Sequence, residues 1–349
     1  MTIDKATKSR LDWIDYAKGV GIIFVVFGHV IKGLNTANLI DSKFYYYAVN
    51  FVYSFHMPLF FILSGYFFYS SLKKRGNKSF MFNKLGTIAY PFLIWSILQT
   101  IIEVKASGYI NSPRSLWLSL DFLYKPKDQF WFLFALFFIN VIGLLAFNFS
   151  KKWGMLLLFL IWAIGYSTNL QTGIFGKTFV NLIYFAVGIA LFKYQYITEQ
   201  ILKSRMFILN ATIFCISIYF YFTFPHNLWY NEIFPPLAGS FTIFYLSNVC
   251  ANKNGFKFLE YLGINSIVIY LVHIIASSGT RIILAKAFHI TNPSVHIVLG
   301  TLTGLIVPLL FYNVAKKTKY LSWLFVFPIK QKPKNLAPST YTPTTARFT

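Results

Sequence analysis

Residues 129–150 read QFWFLFALFFINVIGLLAFNFS, 22 residues without an Asp, Glu, Lys or Arg. As a helix this run is about 33 Å long, enough to cross the roughly 30 Å hydrocarbon core of a bilayer. The pattern recurs outward in both directions, with uncharged runs at 44–72, 85–102, 153–176, 206–231, 233–252, 261–280 and 287–315. Two weaker candidates, 19–31 extended by a snorkelling Lys18 and 178–192 between Lys177 and Lys193, bring the expected spans to ten.

Composition points the same way. Of 349 residues 56% are apolar, 12% are charged and 40 are Phe, so a water-soluble domain of this make-up could not cover its surface with polar groups. The expected fold is all-α, a polytopic bundle of about ten transmembrane helices solvated by membrane lipids. We read residues 1–330 as a single membrane domain and 331–349, rich in Pro, Thr and Ser, as a disordered cytoplasmic tail. The segment 104–128, with Pro113 and Pro126, reads as a surface loop with a short interfacial helix. LSWLFVFPI at 321–329 is too short to span and is expected in the interface.

The net charge of +22 does not point to a nucleic-acid partner, because the 32 basic residues lie mostly between apolar runs rather than on one face. They read as topology determinants beside anionic head groups. Placing the loops alternately puts 22 of them on one side and nine on the other, with Lys18 uncounted. The positive-inside rule then puts both termini in the cytoplasm; nine or eleven spans would break the alternation. A multi-pass protein of a bacterial inner membrane is the expectation. Cys215 and Cys250, each inside an apolar run, offer neither a disulfide framework nor a metal-ligand spacing. The first run lacks a small-residue cleavage site and reads as retained.

Within the first span Asp15, Lys18 and His29 share a stripe: Lys18 to His29 is about 20° beyond three full turns, with an axial separation of about 16 Å. That puts Lys18 near the cytoplasmic interface and His29 at membrane depth, where a polar group must face the bundle interior and find partners. His29 is either a packed histidine donating to a neighbouring helix or a general base, imidazole being the side chain nearest neutral pKa. His273 (IYLVHII) lies about as far from its span's cytoplasmic start, so both imidazoles are expected at one depth. His56 in FHMPLFFILSGY precedes Ser64 and Gly65 along one helix, where small residues also allow close packing. Lys84, at the mouth of the third span, can meet a phosphate or simply snorkel. Trp131 and Arg281 sit toward the outer ends of their spans, with belt and interface roles as the alternative. No nucleotide-binding glycine loop, metal-ligand cluster or buried carboxylate pair is present, so we expect no permanently bound cofactor and no metal.

RLDWIDYAKGVGIIFVVFGH at 10–29, FHMPLFFILSGYFF at 55–68, the Lys84–Trp95 stretch with YPFLIW, QFWFL at 129–133 and SIVIYLVH at 266–273 resemble the acyltransferase-3 family of integral membrane acyltransferases. The resemblance runs over roughly 10–315 and is greatest to the sugar O-acetylase branch exemplified by fucose 4-O-acetylase. It implies a transferase that moves an acyl group, commonly acetyl, from cytoplasmic acyl-CoA to a hydroxyl of an envelope or exported glycan. Carried over, it makes Lys18 and His29 a matched pair, His29 the catalytic residue, His273 the late histidine, and Ser64 with Gly65 a serine-glycine element lining the cavity. Where many relatives have arginine, this chain has Lys18, and lysines replace an arginine pair before the third span. Nothing after 315 reads as the extracytoplasmic hydrolase-like domain of some relatives, so action alone or with a separate partner is expected.

The expected chemistry brings acetyl-CoA, as co-substrate, to Lys18, Lys84 and the 73–78 cluster by its phosphates, with the thioester beside His29. His29 either removes the acceptor hydroxyl proton or first receives the acyl group. Asp15, His56, Ser64, Lys84, Trp131 and Arg281 are the candidate substrate contacts. The rival reading is a transporter or flippase for a lipid-linked sugar, in which the same histidines bind cargo or relay protons. A third is a non-catalytic scaffold in polysaccharide export.

Overall fold

The computed structural model describes residues 4–105, 126, 128–168, 175–224, 229–253, 255–325 and 327. The tail read at 331–349 and most of the 104–128 segment lie outside them. Helix α1 spans Asp4–Thr36 and is followed by α2 (Ser42–Tyr53) and α3 (His56–Arg75). Then come α4 (Asn77–Lys84), α5 (Tyr90–Lys105), α6 (Trp131–Phe149), α7 (Gly154–Ser167) and α8 (Gly176–Lys193). A short α9 (Gln195–Ile201) leads to α10 (Ser204–Thr223) and α11 (Phe234–Asn252), and α12 (Lys257–Ile264) to α13 (Ser266–Ile282). The last elements are α14 (Pro293–Ala315) and α15 (Lys319–Ser322).

Local chemistry sets several boundaries. Asp41 caps α2 by accepting from the Lys43 and Phe44 amides, and Asn292 caps α14, with Pro293 in the first turn. The run read as one span at 44–72 is two helices, because Pro58 has no N–H for the Ser54 carbonyl and the chain breaks at Ser54–Phe55. Pro91 likewise cannot donate to the Thr87 carbonyl, and a wide turn over Leu85–Ala89, closed by Tyr90 N–H to the Leu85 carbonyl, replaces regular helix there. Lys73, Lys74 and Arg75 close α3 ahead of Gly76, whose φ of 74° is the left-handed geometry glycine permits.

Among the described residues nine helices, or directly joined helix pairs, are long and apolar enough to cross a membrane. The tenth expected span, 153–176, is occupied by α7, an apolar helix of 14 residues. At 1.5 Å per residue it covers about 21 Å, short of a full hydrocarbon core. Large apolar side chains point outward where the ten-span reading requires lipid, as at Leu145, Phe149, Ile208 and Leu310. Helix α10 is the most peripheral, with only Asn210 and Ser217 buried.

Two seams hold the middle of the bundle. A Cβ at Gly65 of α3 would run into the Phe185 carbonyl of α8, and one at Gly188 of α8 into the Ile62 carbonyl of α3. Gly19 of α1 meets the Leu259 carbonyl of α12 in the same way, and Gly263 of α12 meets the Asp15 carbonyl. In lipid, where apolar burial drives little association, such backbone-to-backbone contact is a main source of helix pairing. Gly300 and Gly304 seat α14 against Val30 and Val26 of α1, with Ser277 and the His273 carbonyl of α13 beside Gly304. Within the segment read as interfacial at 321–329, Trp323 and Leu324 dock on α5: Tyr90 Oη donates to the Trp323 carbonyl and Trp95 Nε1 to the Leu324 carbonyl, each at 2.8 Å.

Candidate active site

Helices α1 and α13 cross at mid-depth and bring the His29 and His273 rings together, with centroids 5.1 Å apart at an angle of 63°. His273 is fully buried, and its Nδ1 lies 2.8 Å from the Tyr270 carbonyl and 3.1 Å from that of Ile269. Only a donor satisfies those carbonyls, so Nδ1 carries the hydrogen and Nε2 keeps a lone pair. That Nε2 is buried without a hydrogen-bond partner, the state of a group waiting for a donor.

The same economy is repeated around it. His56 Nδ1 sits 2.7 Å from the Val52 carbonyl, so its hydrogen is spent along its own chain. Its ring is 4.6 Å from Tyr53, whose ring in turn lies 6.5 Å from His29. His296 gives its Nε2 hydrogen to the Ile290 carbonyl at 2.7 Å and leaves a buried Nδ1 unpaired. His296, which no sequence motif singled out, lies in the first turn of α14 and lines one small cavity with His29, Ser277, Ser278 and Arg281. Arg281 reaches that cavity from α13, its Nε 3.6 Å from the position of a Cβ on Gly33, one turn beyond His29. At about 10 Å³ the cavity has room for roughly one water. Chemically the cluster combines lone-pair nitrogens that can take a proton from a hydroxyl with a guanidinium that can face a developing oxyanion.

Lys18 lies elsewhere. Its ammonium pairs with Asp15 at 2.9 Å and stands 5.4 Å over the Phe67 ring, at the edge of a cavity of about 170 Å³. Ile22, Met57, Phe132, Leu136 and Tyr270 give that chamber apolar walls, and Ser64 supplies a hydroxyl. The chamber and the His29 cavity share no lining residue, so Lys18 and His29 do not open into one space in this conformation. Tyr270 stands between them: it lines the chamber, and its ring lies 6.1 Å from that of His273. Its hydroxyl donates to the Gln129 carbonyl, and Gln129, Gln99 and Glu103 continue as a chain of side-chain hydrogen bonds of 2.8 and 2.9 Å.

The remaining candidates divide by end. Lys84 stands 5.1 Å over Phe80, whose ring touches Phe68 of α3, next to the Phe67 beneath Lys18. The two lysines therefore flank the same end of α3 without sharing the chamber. Trp131 is at the opposite end, with the Lys177 ammonium 4.3 Å over its ring. No group of three or more His, Cys, Asp or Glu is arranged to hold a metal among the described residues.

Against known proteins, a family described as "Acyltransferase domain" matches residues 11–313. Nodulation protein NolL of Sinorhizobium fredii is 29% identical over 144 residues, 40% of this chain and 38% of that protein. Nodulation protein NolL of Mesorhizobium japonicum is 29% identical over 150 residues, 42% of this chain and 39% of that protein. The chain thus spans about two fifths of the length of the curated relatives it matches. No solved structure matches.

Proposed function

The chain belongs to the acyltransferase-domain family, and from that premise we propose that it is a membrane O-acyltransferase moving an acetyl group from cytoplasmic acetyl-CoA to a hydroxyl of a cell-envelope or exported glycan. The observation that carries the reading is the His29–His273 contact at 5.1 Å, with His273 Nε2 buried and unpaired. An acceptor hydroxyl entering between the rings gives its one hydrogen to His29, which removes it as the oxygen attacks the thioester carbonyl and returns it to the departing CoA thiolate, while a neighbouring hydroxyl of the sugar donates to His273 Nε2. Arg281 and Ser278, from the same cavity, face the oxyanion that forms.

The chamber at Lys18 takes the pantetheine arm and acyl end of the donor, its apolar walls fitting a methylene chain and Lys18 a phosphate at the mouth. Lys84 and the basic end of α3 extend that cationic rim. The one-water volume beside His29 means that substrates enter only as Tyr270 or its neighbours give way.

Replacing His29 by Ala tests the reading in membranes supplied with acetyl-CoA and envelope glycan. Glycan acetylation and thiol release are expected to fall together by about 100-fold or more, the ordinary contribution of a general base. Wild-type rates at normal protein level remove His29 from this role. The transporter reading predicts no thiol release from acetyl-CoA by the wild-type chain, so the same assay separates the two.

A further inference from the structure

Trp162 and Tyr166 of α7 line a third cavity, of about 100 Å³, with Val180 and Ile183 of α8 and Glu232 and Ile233 just before α11. That volume corresponds to roughly seven or more water positions, space for one small ring. The close approach that builds it is legible at Gly165: a Cβ there would press into the Phe179 ring of α8 at 2.7 Å, so only glycine lets α7 lie near enough to present its aromatic pair.

We infer that this cavity is a carbohydrate subsite that holds one sugar ring of an extended acceptor, at a distance from the ring that is acylated. The inference rests on the transferase reading above for the word acceptor, but not for the sugar. Trp162 and Tyr166 are one turn apart, with centroids separated by 5.7 Å and planes tilted by only 36°. They form a single continuous wall, and the C–H face of a pyranose stacks on such a platform. The same cavity is lined by one carboxylate, Glu232, which accepts hydrogen bonds from two neighbouring hydroxyls of a ring lying on that wall. The rival ligand for aromatic rings plus a carboxylate is an ammonium group, but cation recognition calls for aromatic faces on several sides, and here the other walls are aliphatic. A chain of net charge +22 also repels a cationic ligand.

Position agrees with the role. The C-terminal turn of α7 and the N-terminal turns of α8 and α11 meet at the end of the bundle where Lys177 covers Trp131, opposite Lys18. Donor and glycan then approach from opposite ends. A half-buried carboxylate is costly in a bundle with ten acidic residues in all, and a ligand that hydrogen-bonds it accounts for its placement.

Two measurements test the subsite with the full chain in detergent or native membranes. In the first, tryptophan fluorescence is titrated with gluco-, malto- and N-acetylglucosamine trisaccharides and with choline, comparing wild type with Trp162→Phe and Glu232→Gln. A saturable saccharide signal that Glu232→Gln weakens supports the subsite; no saccharide signal that either variant alters, or saturation by choline alone, overturns it. In the second, Glu232→Gln, by loss of a hydrogen bond to a charged group, and Trp162→Ala, by loss of the stacking surface, are each expected to raise the KM for envelope glycan about tenfold, with the KM for acetyl-CoA unchanged. Glycan KM within twofold of wild type in both variants overturns it. Saccharide binding lost in the variants from a protein that never cleaves acetyl-CoA supports the subsite and overturns only the transferase reading.

Discussion

With its Nδ1 hydrogen committed to two backbone carbonyls, His273 can act only as an acceptor through Nε2. An amide at that position cannot reproduce a basic lone pair, so His273→Asn is expected to lower kcat for glycan acetylation by about tenfold or more. Membrane acetylation assays at matched protein level check this, and unchanged kcat assigns the ring a packing role. At Lys18 the expected loss falls on the donor: Lys18→Ala raises the KM for acetyl-CoA about tenfold by removing a charged hydrogen bond. Lys18→Arg keeps it within a few-fold, since the guanidinium also pairs with phosphate, and equal KM values for all three proteins exclude a phosphate contact there. The stripe of Asp15, Lys18 and His29 was legible because one regular helix carries it. His296 was not, because a left-handed turn at His289, with φ of 54°, folds the chain back before α14, and no local pattern announces which carbonyl a ring will find. Nor could periodicity show that Ile22, Met57 and Tyr270, drawn from three helices, stand around one chamber at Lys18.

Helix by helix, the uncharged runs located, among the described residues, nine helices or joined pairs long enough to cross, since desolvation of a charge in hydrocarbon leaves little freedom in where they lie, while the run at 153–176 holds only the 14-residue α7. What those runs concealed were the breaks, at Pro58 within 44–72 and at Pro91 near the start of 85–102, where a missing N–H rather than hydropathy decides. Seam glycines in α3 and α8 are expected to tolerate no side chain. Gly65→Val or Gly188→Val forces a Cβ onto a carbonyl and is expected to cost roughly 1–3 kcal/mol or more. Gly279→Ala, where a Cβ meets nothing within 4 Å, serves as the control and keeps or slightly raises stability. Thermal unfolding in detergent distinguishes them, and equal midpoints for the three variants count against the seam.

Over the whole molecule, the count of 22 basic residues against nine rests on ten crossings, and so on α7 passing through the bilayer. Reporter fusions at the two termini are expected to give the same cytoplasmic signal, and fusions at 151 and 194, on either side of α7 and α8, to match them. Termini on opposite sides would mean that α7, at 14 residues, dips in without crossing. The glycine seams carry one further consequence. Helices that touch through carbonyl and Cα have no side-chain slack, and cannot slide or roll without first lifting apart. The pairs α1–α12 and α3–α8 therefore behave as stators, and the excursions that admit a donor and release a product are left to rotation of the Tyr270 side chain and to the lipid-facing α10. A covalent tie across either seam should leave the motor running, whereas one that fastens Tyr270 in place should stall it.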